Sequence, residues 1–161
     1  MNHFLSSFFA TLLPCLVLCR WYQPSPGTTF HFQMTGKLDM SVHAKVYIVD
    51  MDETPRDTIE KLQDMRKKVI CHFSAGTFET WRMDSDFFLF HWPLVGHRHH
   101  IWSDIHWLDI TNENVKLVMT MRLNRAVRKG CDGVELSNLD GYLQDTGFPI
   151  TYEDQVSDQT E

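Results

Sequence analysis

The chain has 161 residues, a net charge of −6 and 43% hydrophobic residues, which fits one ordinary globular domain. The acidic balance and the absence of a basic run argue against a nucleic-acid partner. No Gly-rich phosphate loop and no HExxH motif occur in the sequence, so neither a cofactor nor a metal is expected.

In chain order, the first nineteen residues, MNHFLSSFFATLLPCLVLC, carry no Asp, Glu, Lys or Arg. The apolar run from Phe8 to Leu18 is broken by Thr11, Pro14 and Cys15, too short for a stable membrane span. It reads as a secretory signal, residues 1–19, cut before Arg20, so the product is expected to be secreted and extracellular. Cys15 and Cys19 leave with that segment. Cys71 and Cys131 stay, and both a disulfide and two buried free thiols suit them.

After a Pro- and Gly-containing lead-in, TFHFQM alternates Phe30, Phe32 and Met34 against polar residues and predicts a strand. KVYIVD, residues 45–50, is a nearly continuous apolar run of the kind buried on both faces. Thr54 then offers an N-cap with Pro55 in the first turn, and Ile59, Leu62 and Met65 carry helical spacing to about Lys67. KVICHFSAG predicts a second buried strand, broken at Gly76. Residues 77–110 predict short helical pieces around FETWRMDSDFF, a His-rich polar loop and then HWLDI. Asn112 caps a helix over 113–129 with Val115, Val118, Leu123, Ala126 and Val127 on or near one face, and Gly130 ends it. DGVEL is the next strand, and the chain finishes in an acidic tail.

Strand, helix, strand, irregular linker, helix, strand is a parallel βα series. Its strands end in acids, Asp50 and Glu135, and the carboxyl ends of barrel strands are where active sites form. The histidines of HRHH (His97, His99, His100) have no Cys or carboxylate at a metal-binding spacing and read as a solvated loop. Ser74 lacks a G-x-S-x-G elbow and reads as a small residue at a strand end.

The stretches WYQPSPGTTFHFQM, KVYIVDMDETPRDTIEKL, KVICHFSAGTFETWRMD, WLDI and GCDGVELSNLDGYLQDTGFPITYED together resemble glycoside hydrolase family 114. These are secreted TIM-barrel enzymes of the endo-α-1,4-polygalactosaminidase type, sometimes described as α-galactosidases. The resemblance implies an α/β fold of (β/α)8 type, covered over residues 20–161 for roughly its first four βα units, since a full barrel takes roughly 250 residues. It also implies a polysaccharide of α-linked galactosamine or galactose as partner. A half-barrel with open sheet edges is further expected to self-associate.

The resemblance places Glu135 and Asp140 as candidate catalytic acids. Asp50, Glu79, Arg82, Asp104, Trp107, Asn138 and Tyr142 fall at substrate-binding positions around the strand mouths. Two departures stand out. The family reads Glu-Pro-Asp-Asn where this chain has Glu135-Leu136-Ser137-Asn138, and it tends to Glu where Asp104 stands. Glycoside hydrolysis normally needs two flanking carboxyl groups. Ser137 cannot serve as one, and the family's second Glu falls on a later strand. Glu135 shares a strand face with Ser137, so it is the residue able to substitute. Glu79 and Arg82 also suit a structural i,i+3 ion pair, worth about 0.2–0.5 kcal/mol. Two functions therefore compete: a glycoside hydrolase, and a carbohydrate-binding remnant without turnover.

Overall fold

A computed structural model describes residues 22–157, so the N-terminal apolar run lies outside the described residues. Four strands form one all-parallel sheet in the order β1 (Phe30–Gln33), β2 (Val46–Asp50), β3 (Lys68–Ser74) and β7 (Gly133–Ser137). Helix α1 (Arg56–Asp64) connects β2 to β3, and the 17-residue α3 (Glu113–Lys129) leads into β7. A three-residue 3-10 turn (Gly141–Leu143) and a short helix α4 (Tyr152–Ser157) follow.

The two faces of the sheet have different fates. Tyr47 and Val49 on β2, and Val69, Cys71 and Phe73 on β3, meet Ile59, Leu62 and Ala126 of the helices in a core shielded from water. The alternate residues share the opposite face, because neighbouring side chains on a strand point to opposite sides. The strand register stacks that face in layers: Phe32, Ile48, Ile70 and Gly133; then Asp50, His72 and Glu135; then Ser74 and Ser137. Phe30 (66% exposed) and Phe32 (51%) line the open side of this face. A disulfide joins Cys71 on β3 to Cys131 just before β7, with Cα atoms 5.9 Å apart, which settles the thiol question.

The helix α3 follows its signals. The Asn112 side chain accepts from Asn114 N at 3.0 Å, and Gly130 closes the helix at φ +83°, a conformation that costs Gly nothing. Its apolar face is narrower than expected, because Leu123 and Val127 are exposed while Arg122 is fully buried among Val115, Val118 and Ala126. At α1, Thr54 does not cap. Pro55 occupies the cap position without a side-chain bond, and the helix ends at Asp64.

The expectation for residues 77–110 is corrected most. A three-stranded antiparallel sheet in the order β4 (Thr77–Glu79), β6 (Ile105–Leu108), β5 (Val95–Arg98) is inserted here, with a short helix α2 (Ser85–Phe90) and a 3-10 turn (Trp92–Leu94) between β4 and β5. It encloses its own core of Phe78, Phe88, Leu94, Val95 and Leu108, closed by Val115 and Val118 of α3. The first half of the HRHH segment, His97 and Arg98, belongs to β5, and His97, Arg98 and His100 are exposed. His99 is buried with its ring stacked on His100 and tilted over Trp107. The pairing Thr77↔Trp107 spans thirty residues, and strands this short leave almost no alternation to read.

Candidate active site at the carboxyl rim of the parallel sheet

All four parallel strands end on one side of the molecule, and the side chains that the sequence singles out divide there into two groups. The first is a buried ionic cluster. Arg82, just past β4, donates from Nε to Glu79 Oε2 and from Nη1 to Asp50 Oδ1 at 2.9 Å. All three side chains are 6–8% exposed. Burial by itself would lower the Arg82 pKa, but the hydrogen bonds and charges of Glu79 and Asp50 outweigh it and raise it above the ordinary arginine value. Arg82 is therefore a permanent cation spanning two acids.

The cluster extends beneath the rim. Asp52 takes Arg125 at 2.8 Å. Asp84 receives Nε and Nη2 of Arg122 at 2.9 and 2.7 Å, while Arg122 Nη1 donates to Ser74 O at the end of β3. Burial pushes the Asp84 pKa up, yet the Arg122 hydrogen bonds and the Arg122 and Arg125 charges hold it below the usual carboxylate range. Guanidinium groups suit this role because their planar fork meets carboxylates in two bonds at once. Sequence reasoning missed Arg122 and Asp84. The signal was present in the spacing Val115, Val118, Arg122, Ala126, which puts an arginine on the buried stripe.

The second group faces the open side of the sheet. Glu135 Oε2 meets His72 Nδ1 across adjacent strands, with Glu135 40% exposed and His72 15%. The edge of the Phe32 ring packs on His72. Glu135 also stands at the inner end of an open trough that runs toward the amino ends of the strands, past Ile48 and Ile70 to Phe30, Val46, Gly133 and Tyr22. A carboxyl group that is partly open to solvent and backed by an imidazole can exchange a proton with a ligand that reaches this face of the sheet. His72 too escaped the sequence reading, although its strand parity places it on the Glu135 face.

The remaining candidates occupy supporting places. Asn138 adopts φ +57° and its Nδ2 donates to Ser74 Oγ at 3.0 Å and Thr77 Oγ1 at 3.1 Å, so its amide ties β3, β4 and β7 together. Gly76 makes that junction feasible, since a Cβ there would stand 1.9 Å from Asn138 O. Asp140 is exposed, bonded by Gln144 at 2.8 Å, and its charge acts on His99. Tyr142 is half-buried, edge-on to Tyr152. Asp104 is exposed in the turn before β6. Trp107 is 2% exposed, so its ring packs inside the inserted sheet and does not present a face to a ligand. Among the described residues no group of three metal-ligating side chains is present.

Comparison with known proteins follows this geometry. The family described as glycoside-hydrolase family GH114 matches residues 15–160. The crystal structure of Aspergillus fumigatus Ega3 in complex with galactosamine is similar at 40% identity and a TM-score of 0.82, over 85% of this chain and 54% of that one. The glycoside hydrolase domain of PelA from Pseudomonas aeruginosa is similar in fold alone, at 10% identity and a TM-score of 0.63, over 81% of this chain and 50% of that one. The chain thus spans about half the length of the solved relatives it matches. No curated protein matches it.

Proposed function

Because the chain belongs to glycoside hydrolase family GH114 and has the family's TIM-barrel type of α/β fold, we propose that it engages a galactosamine-containing polysaccharide at the carboxyl rim of its parallel sheet. Glu135 is the carboxyl group that meets the sugar, and the observation that carries this reading is its position. It shares a layer with Asp50 on the open face of the sheet, is partly solvent-exposed and has His72 against it. An acidic rim also suits a polymer of cationic amino sugars, and the solved relative Ega3 was crystallised with galactosamine.

Hydrolysis asks for more than binding. The two carboxyl groups must flank the scissile bond, about 5–5.5 Å apart for retention or roughly 6.5–9.5 Å for inversion. Asp50 shares the layer of Glu135, two strands away, but its carboxylate is buried and held by Arg82. Ser137 lies two residues beyond Glu135 on the same face of the same strand, so a carboxylate there would stand beside Glu135, not opposite it. Binding without turnover is the activity these residues support by themselves, and turnover requires a second carboxyl group facing Glu135.

The test is equilibrium binding and reducing-end release with α-1,4-linked galactosamine oligomers. The expected result is binding that Glu135→Gln weakens, with no release by the wild type or by Ser137→Asp. Release by the wild type that Glu135→Gln abolishes would make the chain a hydrolase in its own right. Failure to bind any galactosamine oligomer would overturn the proposal.

Export belongs to the same proposal. The uncharged apolar run over residues 1–19 supports it, and so does the Cys71–Cys131 disulfide, since such bonds persist in oxidising compartments. Among the described residues no helix is long and apolar enough to cross a membrane. N-terminal sequencing of the exported protein is expected to begin at Arg20, and a product beginning at Met1 would reject the cleavage.

A further inference from the structure

His72 Nδ1 meets Glu135 Oε2 across the β3–β7 register, and among the described residues this is the sole hydrogen bond or ion pair of either side chain. The surroundings isolate the pair. Toward the amino ends, the next layer of the open face is Phe32, Ile48 and Ile70, with the Phe32 ring at 85° to the imidazole and 5.9 Å between centroids. Toward the carboxyl ends, the next layer is Ser74 and Ser137, which carry no charge. Within the layer of His72 the other titratable group is Asp50 on β2. Its carboxylate is already bound by Arg82, which also holds Glu79 and lies 3.7 Å from Asp52. The helices pack on the opposite face of the sheet. A proton added to His72 therefore has one uncommitted countercharge beside it, the Glu135 carboxylate.

The imidazole is the side chain whose charge ordinarily changes between about pH 5 and 8. When neutral, its Nδ1–H donates to Glu135 Oε2 and fixes the orientation of the carboxylate. The negative charge then remains available to a ligand on the side of Glu135 that is open to solvent, where the side chain is 40% exposed. When His72 is protonated, that charge is spent inside the pair, and a cationic ligand arrives at a neutral site.

We propose that His72 is a positioning residue that decides when Glu135 accepts an amino sugar: the neutral ring holds the carboxylate for the sugar's ammonium group, and the protonated ring displaces that ammonium. The inference rests on the substrate reading given above. Because the proton on His72 and the ammonium compete for one carboxylate, each weakens the binding of the other by the same factor. The site thus takes the free-amine polymer near neutral pH and releases it on mild acidification, whereas a neutral N-acetylated polymer gains nothing from the ionised carboxylate.

The test is equilibrium binding of an α-1,4-galactosamine oligomer to the whole chain at about pH 7.5 and about pH 5.5. The amine of the ligand titrates as well, so the quantity read is the difference between the wild type and His72→Asn, whose amide reaches the place of Nδ1 without taking up a proton. Across that interval the wild type is expected to lose about tenfold in affinity relative to His72→Asn. At the higher pH His72→Asn is expected to bind within about threefold of the wild type, and His72→Ala, which leaves Glu135 without its donor, about tenfold more weakly. The N-acetylated oligomer is expected to show no such difference. In the unmodified chain, NMR titration of the His72 ring is expected to move to lower pH when the free-amine oligomer saturates the site. Parallel pH profiles for the wild type and His72→Asn, with Glu135→Gln still weakening the oligomer, would overturn the role of His72 and leave the substrate reading standing. If the variants melt earlier, the NMR arm decides, and a ring titration that saturating oligomer leaves in place overturns the proposal. If the wild type binds the oligomer at neither pH, the substrate reading falls and takes this inference with it.

Discussion

Arg82 Nη1 lies 2.8 Å from Asp50 Oδ2, joining the inserted sheet to the carboxyl end of β2 through two side chains that are almost fully buried. Removing one member of such a cluster leaves uncompensated charge inside the protein, which costs far more than the pair contributes when intact. Arg82→Leu strands both Asp50 and Glu79. The expected loss of folding stability in urea titration is about 3–5 kcal/mol. Adding Asp50→Asn and Glu79→Gln to it recovers part of that loss. A change within about 0.5 kcal/mol for Arg82→Leu alone, the range typical of surface substitutions, would show that the cluster is hydrated.

The Cys71–Cys131 bond closes a loop over a sequence separation of 60. By the chain-entropy relation a loop of that size contributes about 4 kcal/mol by restricting the unfolded chain. The double variant Cys71→Ala/Cys131→Ala is expected to lower the urea midpoint accordingly, and reduction of the wild type to have a similar effect. Equal midpoints with and without reductant would reject the contribution.

Stability is expected to fall in two stages on acidification. Burial, with the neighbouring His100 charge, lowers the His99 pKa against an opposing pull from Asp140. Burial and Arg98 lower that of His106 against Asp104. Below about pH 6.5 the unfolded chain takes up protons at these histidines that the folded chain does not. Stability thus decreases as pH falls from about 7 to about 5. Asp84 and Asp132 are held below the usual carboxylate range, in each case by ion pairing and hydrogen bonds that overcome burial. Their stabilisation is complete above about pH 3.9 and is lost below it. Urea midpoints at pH 5.0 and 7.5 check the first stage. His99→Gln is expected to flatten it, and an unchanged slope in that variant would remove His99 from the account.

Self-association is the fourth expectation. Among the described residues the outer edges of β1 and β7 pair with no other strand, and Phe30 and Phe32 stand exposed on the open face beside β2. Unpaired parallel edges next to apolar surface are templates for another strand. Light scattering coupled to gel filtration is expected to show a dimer or larger species for this chain, shifted toward monomer by Phe32→Glu. A monodisperse wild-type monomer with a cooperative melt would contradict this.

Some of this protein is written locally. β2, β3, β7 and α3 are legible because each is an apolar run or stripe whose pattern repeats within a few residues. The Asn112 cap and the Gly130 stop are legible for the same reason, since each acts within one turn of helix. Strand parity also determines that Glu135 and Ser137 share a face. The comparison of motifs reached the family through these same stretches.

What needed the tertiary structure is what depends on distant partners. Residues 77–110 form a sheet only because Thr77 finds Trp107, and that pairing leaves no local trace in strands of three and four residues. The pattern Glu79–Arg82 reads as a helical ion pair, yet the third partner, Asp50, lies 32 residues away in sequence, and its burial turns a weak surface pair into a buried scaffold. His72 becomes part of the site only through the β3–β7 register, which sets it against Glu135. Trp107 carries the same lesson in reverse: the family resemblance puts an aromatic beside the mouth, and only packing decides that its ring is spent in the core. Short-range periodicity determines which segments are buried, whereas chain closure over tens of residues decides which side chains meet.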